Sequence, residues 1–166
     1  MKTNILYIFL ALSSLLMFNS CASDAMDIIT EKTSAKSVYY SYNSDELKTI
    51  ELINDHRESV GLNRLERISF LSVTADDHTG YMIENAVASH DGFAERCDEV
   101  IKTVAALKVG ENVAFNYNKP TKAFNAWLES ARHKVNIEGN FTHIGVAIKK
   151  CETTGKKYYT TIFAKI

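Results

Sequence analysis

Val109-Gly110-Glu111-Asn112-Val113-Ala114, Ala126-Trp127-Leu128-Glu129-Ser130 and His133-Lys134-Val135-Asn136-Ile137 form the stretch on which the reading of this chain turns. Glycine before Glu111 allows an unusual backbone turn, and Asn112 after it can lock that turn by bonding nearby main chain. The carboxylate is then fixed rather than carried on a mobile loop. Pro120 is tolerated in the first turn of the helix that follows, where it has no backbone bond to break. Ala123, Phe124, Trp127 and Leu128 give that helix an apolar face, with Trp127 as a core anchor, and His133 lies just beyond it.

Working outward, Leu47, Ile50 and Ile53 make one apolar stripe, with Ser44 as N-cap, Asp45 and Glu46 at the helix start, and Gly61 as terminator. The polar run Asn54-Asp55-His56-Arg57 decorates this helix, with His56 at the surface. A second helix is expected from Ser69 toward Val87, weakened at Gly80 by ~1 kcal/mol relative to alanine. A third is expected over Phe93 to Thr103, with Phe93, Val100, Ile101 and Val104 facing inward. Near the C-terminus the period changes: Ile144, Val146 and Ile148 alternate, a turn follows, and Tyr158 to Ile166 is β-branched and aromatic. That pattern is an antiparallel hairpin, and Val113, Phe115 and Tyr117 can supply a further strand. Helices packed around a small antiparallel sheet make an α+β domain.

Two more segments extend the central stretch: Ala88-Ser89-His90-Asp91-Gly92-Phe93 upstream and Phe141-Thr142-His143-Ile144-Gly145-Val146 downstream. A histidine at a helix-to-loop junction either turns a ring nitrogen into a cleft or satisfies helix-end carbonyls. Glu111 likewise either lines a cavity or accepts backbone N–H groups. Together these segments resemble the CAP superfamily, the SCP-like extracellular domains, over Leu47 to the end of the chain. The resemblance implies a three-layer α-β-α sandwich and a polar cavity containing His90, Glu111 and His133. Bacterial relatives often carry Ser-Pro-Gly-His-Arg-x-Asn-Ile where this chain has Ser130 to Ile137, with Ala131-Arg132 in place of Pro-Gly. Losing proline and glycine is expected to lengthen the preceding helix, while Asn136 ties down the loop. Eukaryotic relatives add a second glutamate three residues after the tryptophan, a place held here by Ser130. Glu129 is one residue short, ~100° away around a helix, and is the remaining candidate for ligand binding. His143 stands where bacterial relatives often have glutamate, and His78 where their helices often bear histidine.

Two imidazoles and a carboxylate are what a zinc site with an open fourth position uses, so His90, Glu111 and His133 are also candidate ligands for a divalent metal such as zinc. No His-Glu-x-x-His motif presents them from one helix, and no nucleophile elbow or phosphate-cradling glycine loop occurs. Three functions follow from this trio. The first is a non-enzymatic cell-envelope module, needing no cofactor, that binds a lipid, glycan or protein partner. The second is a metal-assisted hydrolase, and the third a structural or adhesion protein that uses the trio as a stabilising network.

Export is read from the first twenty residues. Lys2 precedes the apolar run Ile5 to Phe18, which has the length of a signal-peptide core and falls short of the ~20 residues of a membrane span. Ser20-Cys21 then resembles a bacterial lipobox, making Cys21 the expected lipidation site and the membrane a partner through that anchor; without lipidation the protein is secreted. Residues 21–43, rich in Ser, Thr, Lys and Tyr, are expected to tether the anchor to a domain at 44–166. Cys97 and Cys151 remain, and an exported chain permits one disulfide between them or two separate thiols. Removal of Lys2, the one charged residue before Cys21, takes the formal net charge from −1 to −2. With no long basic run, nothing marks a nucleic-acid surface. The pairs Lys149-Lys150 and Lys156-Lys157 flank the hairpin turn and are expected to be solvated.

Overall fold

The computed structural model describes residues 38–166; the expected signal peptide, the Cys21 lipidation site and most of the tether lie outside the described residues. Helix α1 spans Ser44–Ser59. Its N-cap is Asn43, one residue earlier than the sequence suggested. The Asn43 side chain accepts the Glu46 N–H at 3.0 Å, and Glu46 Oε2 accepts the Asn43 N–H at 2.9 Å, a capping box. The other oxygen of the buried Glu46 accepts from the Tyr40 hydroxyl at 2.8 Å and from the Ile148 N–H at 2.9 Å. The Tyr42 hydroxyl shares a 2.8 Å bond with Ser72 Oγ. Of the three tether tyrosines that sequence placed against the domain's edge, Tyr40 and Tyr42 pack onto the domain, whereas Tyr39 stays exposed.

The remaining elements are β1 (Glu66–Arg67), α2 (Ser69–Glu84), α3 (Phe93–Val104), β2 (Lys108–Phe115), α4 (Pro120–Glu129), α5 (Ala131–Ile137), β3 (His143–Lys150) and β4 (Lys157–Lys165). The sheet has the order β1-β3-β4-β2. The three long strands are antiparallel, as the hairpin pattern required, and β1 adds a short parallel edge that sequence did not reveal. Strand alternation sends side chains to opposite faces. Ala114, Ile144, Val146, Ile148, Tyr159 and Phe163 meet Ile50 and Ile53 of α1, Phe124 and Trp127 of α4, and Ile137 of α5. On the other face Ala147, Ile162 and Ala164 meet Leu71 and Ala75 of α2 and Val100 of α3. These are the three layers of an α-β-α sandwich. Of the residues expected to face inward from α3, Val100 is buried and Ile101 is exposed.

Polar groups inside this frame hold its corners. Arg57, read from sequence only as part of the polar run decorating the helix, is fully buried and donates to the carbonyls of Asn63, Ile137, Gly139 and Phe141. It thereby closes the turn between α5 and β3 over α1. His56 is half-buried and bonds Glu138 at 2.8 Å, which holds the Glu138 carboxyl below its ordinary range. Two of the hairpin lysines are also paired: Lys149 with Asp76 at 2.7 Å, and Lys157 with Asp45.

Two local expectations are corrected, and of the two cysteine readings the structure has the separate thiols. Gly110-Glu111-Asn112 lies inside strand β2, in register with Phe163, Ile162 and Thr161, and forms no turn. The glycine is needed for space, since a Cβ there would sit 2.8 Å from Asn136 Oδ1 and 3.0 Å from Phe141 Cζ. The helix carrying Trp127 does not lengthen: its chain turns at Ser130, whose backbone is extended (φ −96°, ψ 113°), and α5 starts afresh. Cys97 and Cys151 are free thiols. Cys97 follows Arg96, which bonds Glu111, whereas Cys151 lies beyond the far end of β3. From Gly145, in line with Ile162 and Glu111, Cys151 is six residues along, ~20 Å of strand and well beyond the reach of a disulfide.

Candidate functional site

Strand β2 is the sheet's edge, and the candidate site wraps around it. Residues on one side of β2 point toward α2 and α3, those on the other toward α4 and α5. Glu111 is on the α2–α3 side, with its side chain 1% exposed. Burying a carboxylate without partners is prohibitive, and Glu111 is fully partnered. The Arg96 guanidinium, from the first turns of α3, donates through Nε to Oε2 at 3.0 Å and through Nη2 to Oε1 at 2.9 Å. His90 Nδ1–H donates to Oε1 at 2.7 Å. The Arg96 fork matches the carboxylate geometry, the strong arrangement for such pairs.

His90 is held from a second direction. Gly92, in the left-handed conformation (φ 69°), lets the chain turn from the His90 loop into α3. Beneath that loop the His78 side chain is buried on α2 and donates Nε2–H to the Ser89 carbonyl at 2.8 Å, while its ring stacks on Tyr81. Burial lowers the His78 pKa, so the ring is neutral and acts as a backbone prop. His78 Nε2 lies 3.9 Å from Glu111 Oε1, too far for a hydrogen bond.

Across the edge strand, α5 supplies the opposite wall. Asn136 Nδ2 donates to the Glu111 carbonyl at 3.0 Å and to Asn112 Oδ1 at 2.9 Å, and Asn112 Nδ2 donates to the His133 carbonyl at 3.0 Å. This amide ladder fixes α5 against β2, the tying role that sequence gave Asn136. The result is a cleft of about 460 Å³ lined by His90, Phe93, Val109, Gly110, Glu111, Arg132, His133 and Asn136. His133 also lines a second hollow with Trp127, Ser130 and Tyr117. Its pKa is lowered by burial and by the neighbouring His90.

Sequence reasoning thus brought together His90, Glu111 and His133, and the structure lines one cleft with all three. Glu129 does not join them: it is exposed near the end of α4, rotated away as its helical phase implied. His143 bonds Thr142 at 2.8 Å by the β1 edge, outside the cleft. Arg96 and Arg132 were missed. The first was legible only as a lone arginine after the His90 loop, and the second only as a departure from Pro-Gly.

The trio does not fit a metal. His90 and Glu111 bond each other instead of converging on a common point, and the Arg96 guanidinium already supplies Glu111 with its cation. A divalent ion would have to displace it. Among the described residues no group of three or more metal-capable side chains converges. Glu111 is equally unsuited to act as a general base, because Arg96 and His90 engage both of its oxygens.

Comparison with known proteins agrees with this architecture. Residues 50–163 match the model of the cysteine-rich secretory protein (CAP) family. The chain is 31% identical over 128 residues to an uncharacterized membrane protein of Bacillus subtilis, YlbC, covering 74% of this chain and 35% of that protein. It is 33% identical over 118 residues to a second uncharacterized B. subtilis protein, YkwD, covering 69% of this chain and 45% of that one. The chain therefore spans less than half the length of these relatives. Among solved structures, an outer surface protein of Borrelia burgdorferi superposes with a TM-score of 0.67 at 22% identity, over 76% of this chain and 96% of that one. An extracellular SCP-domain protein of Bacillus anthracis gives 0.63 at 24% identity, over 74% of this chain and 40% of that one. At these identities the structures speak for the fold alone.

Proposed function

This chain belongs to the cysteine-rich secretory protein (CAP) family, and from that premise we propose that it is an exported cell-envelope domain that binds a ligand through the cleft at the β2 edge and catalyses no reaction there. The observation that carries this reading is the full engagement of Glu111 by Arg96 and His90 at the base of an open cleft. A buried carboxylate spent on two protein partners organises a surface; it does not take protons from a substrate or hold a metal. The exposed face of His90, together with Arg132, His133, Phe93 and Val109, offers the mixture of apolar wall and few polar groups typical of small-molecule sites.

Export and anchoring belong to the same proposal. The apolar run after Lys2 and the Ser20-Cys21 pair support a signal peptide and lipidation at Cys21, with the membrane as partner. The secretory description of the family that residues 50–163 match supports the same placement. No helix among the described residues is long and apolar enough to cross a membrane.

The test is ligand retention. The full chain would be purified from its own envelope fraction beside a His90→Ala/His133→Ala variant, and molecules released on denaturation identified by mass spectrometry. A species carried by the wild type and depleted in the variant is expected. Equal retention by both would move the binding site away from this cleft.

A further inference from the structure

The charges around the cleft do not balance. Glu111 is matched by Arg96 beneath the floor, where the guanidinium engages both of its oxygens. Arg132, on the opposite wall, is exposed and forms no ion pair among the described residues. His133 stands beside it with its backbone carbonyl taken by Asn112 and its ring left without a hydrogen-bond partner among the described residues. Among the described residues no other carboxylate lines the cleft, since Glu129 is elsewhere and Asp91 faces a separate hollow with Asp77 and Tyr81. The opening therefore carries one fixed positive charge and an imidazole N–H that no protein acceptor uses. Phe93 and Val109, both partly buried, continue the wall as an apolar strip. Asn136, whose amide protons are spent on Glu111 and Asn112, fixes the backbone from which Arg132 and His133 project.

We propose that the cleft receives an acidic headgroup, a carboxylate or phosphate monoester, on an otherwise apolar ligand. Arg132 and His133 grip the anion, and the apolar portion lies along Phe93 and Val109. The guanidinium presents paired N–H donors matched to carboxylate and phosphate oxygens, and the neutral His133 ring adds one donor. This inference rests on the cleft-binding reading above and specifies its ligand class.

The experiment follows backbone amide and imidazole NMR signals of the full chain during titration with octyl phosphate, octanoate, octanol and inorganic phosphate. The two acids should shift the signals of Arg132, His133 and Val109 saturably. Octanol should bind more weakly by roughly tenfold to a hundredfold, the factor that a charge-assisted contact supplies. Arg132→Gln, a change at an exposed position that leaves the spectrum folded, should bring the acids down to the octanol level. Inorganic phosphate matching octyl phosphate in affinity would show the apolar portion to be dispensable and overturn the amphiphilic ligand; much weaker binding of inorganic phosphate is expected and supports it. Octanol binding as tightly as octyl phosphate, or unchanged affinity in Arg132→Gln, overturns the acidic-headgroup inference and leaves the cleft a binding site. No response at the cleft to any probe, octanol included, would instead remove the binding reading on which the inference stands.

Discussion

Arg96 brackets the Glu111 carboxylate, its Nε 3.0 Å from one oxygen and its Nη2 2.9 Å from the other, with Arg96 on α3 and Glu111 on the edge strand. Both side chains are largely withdrawn from water, at 14% and 1% exposure. Removing one partner of such a pair leaves the other buried and uncompensated. Arg96→Met is therefore expected to cost about 3 kcal/mol or more in urea unfolding. Arg96→Met/Glu111→Met, which removes both charges, should be milder than the sum of the singles, with a coupling of ~1–3 kcal/mol. Additive single effects would mean that the pair is not a functional unit of the fold.

The same bracket governs metal binding. With Glu111 saturated by a guanidinium and His90 turned toward it, zinc should find no pocket of matching donors. Calorimetric titration of the full chain is expected to show no saturable one-to-one zinc binding that His90→Ala/His133→Ala abolishes. Such binding, present in the wild type and lost in the variant, would restore the zinc reading and with it the case for hydrolase chemistry.

The hairpin, the helices and the Trp127 anchor were legible because hydrophobic period reports which face is buried: Ile144, Val146 and Ile148 alternate in sequence and share one face in the structure. The polar interior was not. Glu46 read as a helix-start charge, and Asn54 and Arg57 as decoration of α1, yet all three are buried against backbone groups of other segments. Gly110-Glu111-Asn112 carries turn residues, so local propensity pointed to a turn; eight register pairs with β4 overrode it. Glu111, His90 and His133 were found through the resemblance of their segments to CAP-family motifs, not from their chemistry alone. Arg96 had no comparable cue, because its meaning depends on a partner fifteen residues away in another element.

Glycine substitutions separate close packing from simple helix propensity. A Cβ on Gly145 would overlap the backbone of Leu71 and Ser72, where α2 lies directly on β3. Backbone cannot move aside as a side chain can, so Gly145→Ala is expected to be the most damaging of three substitutions. Gly110→Ala meets the Asn136 and Phe141 side chains and should cost ~1–3 kcal/mol, with loss of the amide ladder that holds α5. Gly80→Ala, inside α2 with only Lys149 Nζ nearby at 3.7 Å, should stabilise by ~0.5–1 kcal/mol. Chemical unfolding of the three variants checks the order, and a neutral Gly145→Ala would contradict the close α2–β3 approach.

The cleft histidine gives stability a defined pH slope. Burial and the nearby His90 depress the His133 pKa in the folded protein, while in the unfolded chain the group returns to about 6.5. Between the depressed value and ~6.5 the unfolded state therefore binds more protons, and stability rises with pH. The contribution is fully present above about 6.5 and is lost as pH falls through that value toward the folded pKa. His78, depressed by its own burial, acts in the same direction. The depressed carboxyl of Glu138 titrates below its ordinary range of ~4.3 and stays outside this window. Urea unfolding at about pH 7.5 and about pH 5.5 should thus show a smaller loss of stability for His133→Gln than for the wild type, with His78 maintaining part of the slope in both. Parallel losses in the two proteins would place the His133 ring in water rather than in the wall of the cleft.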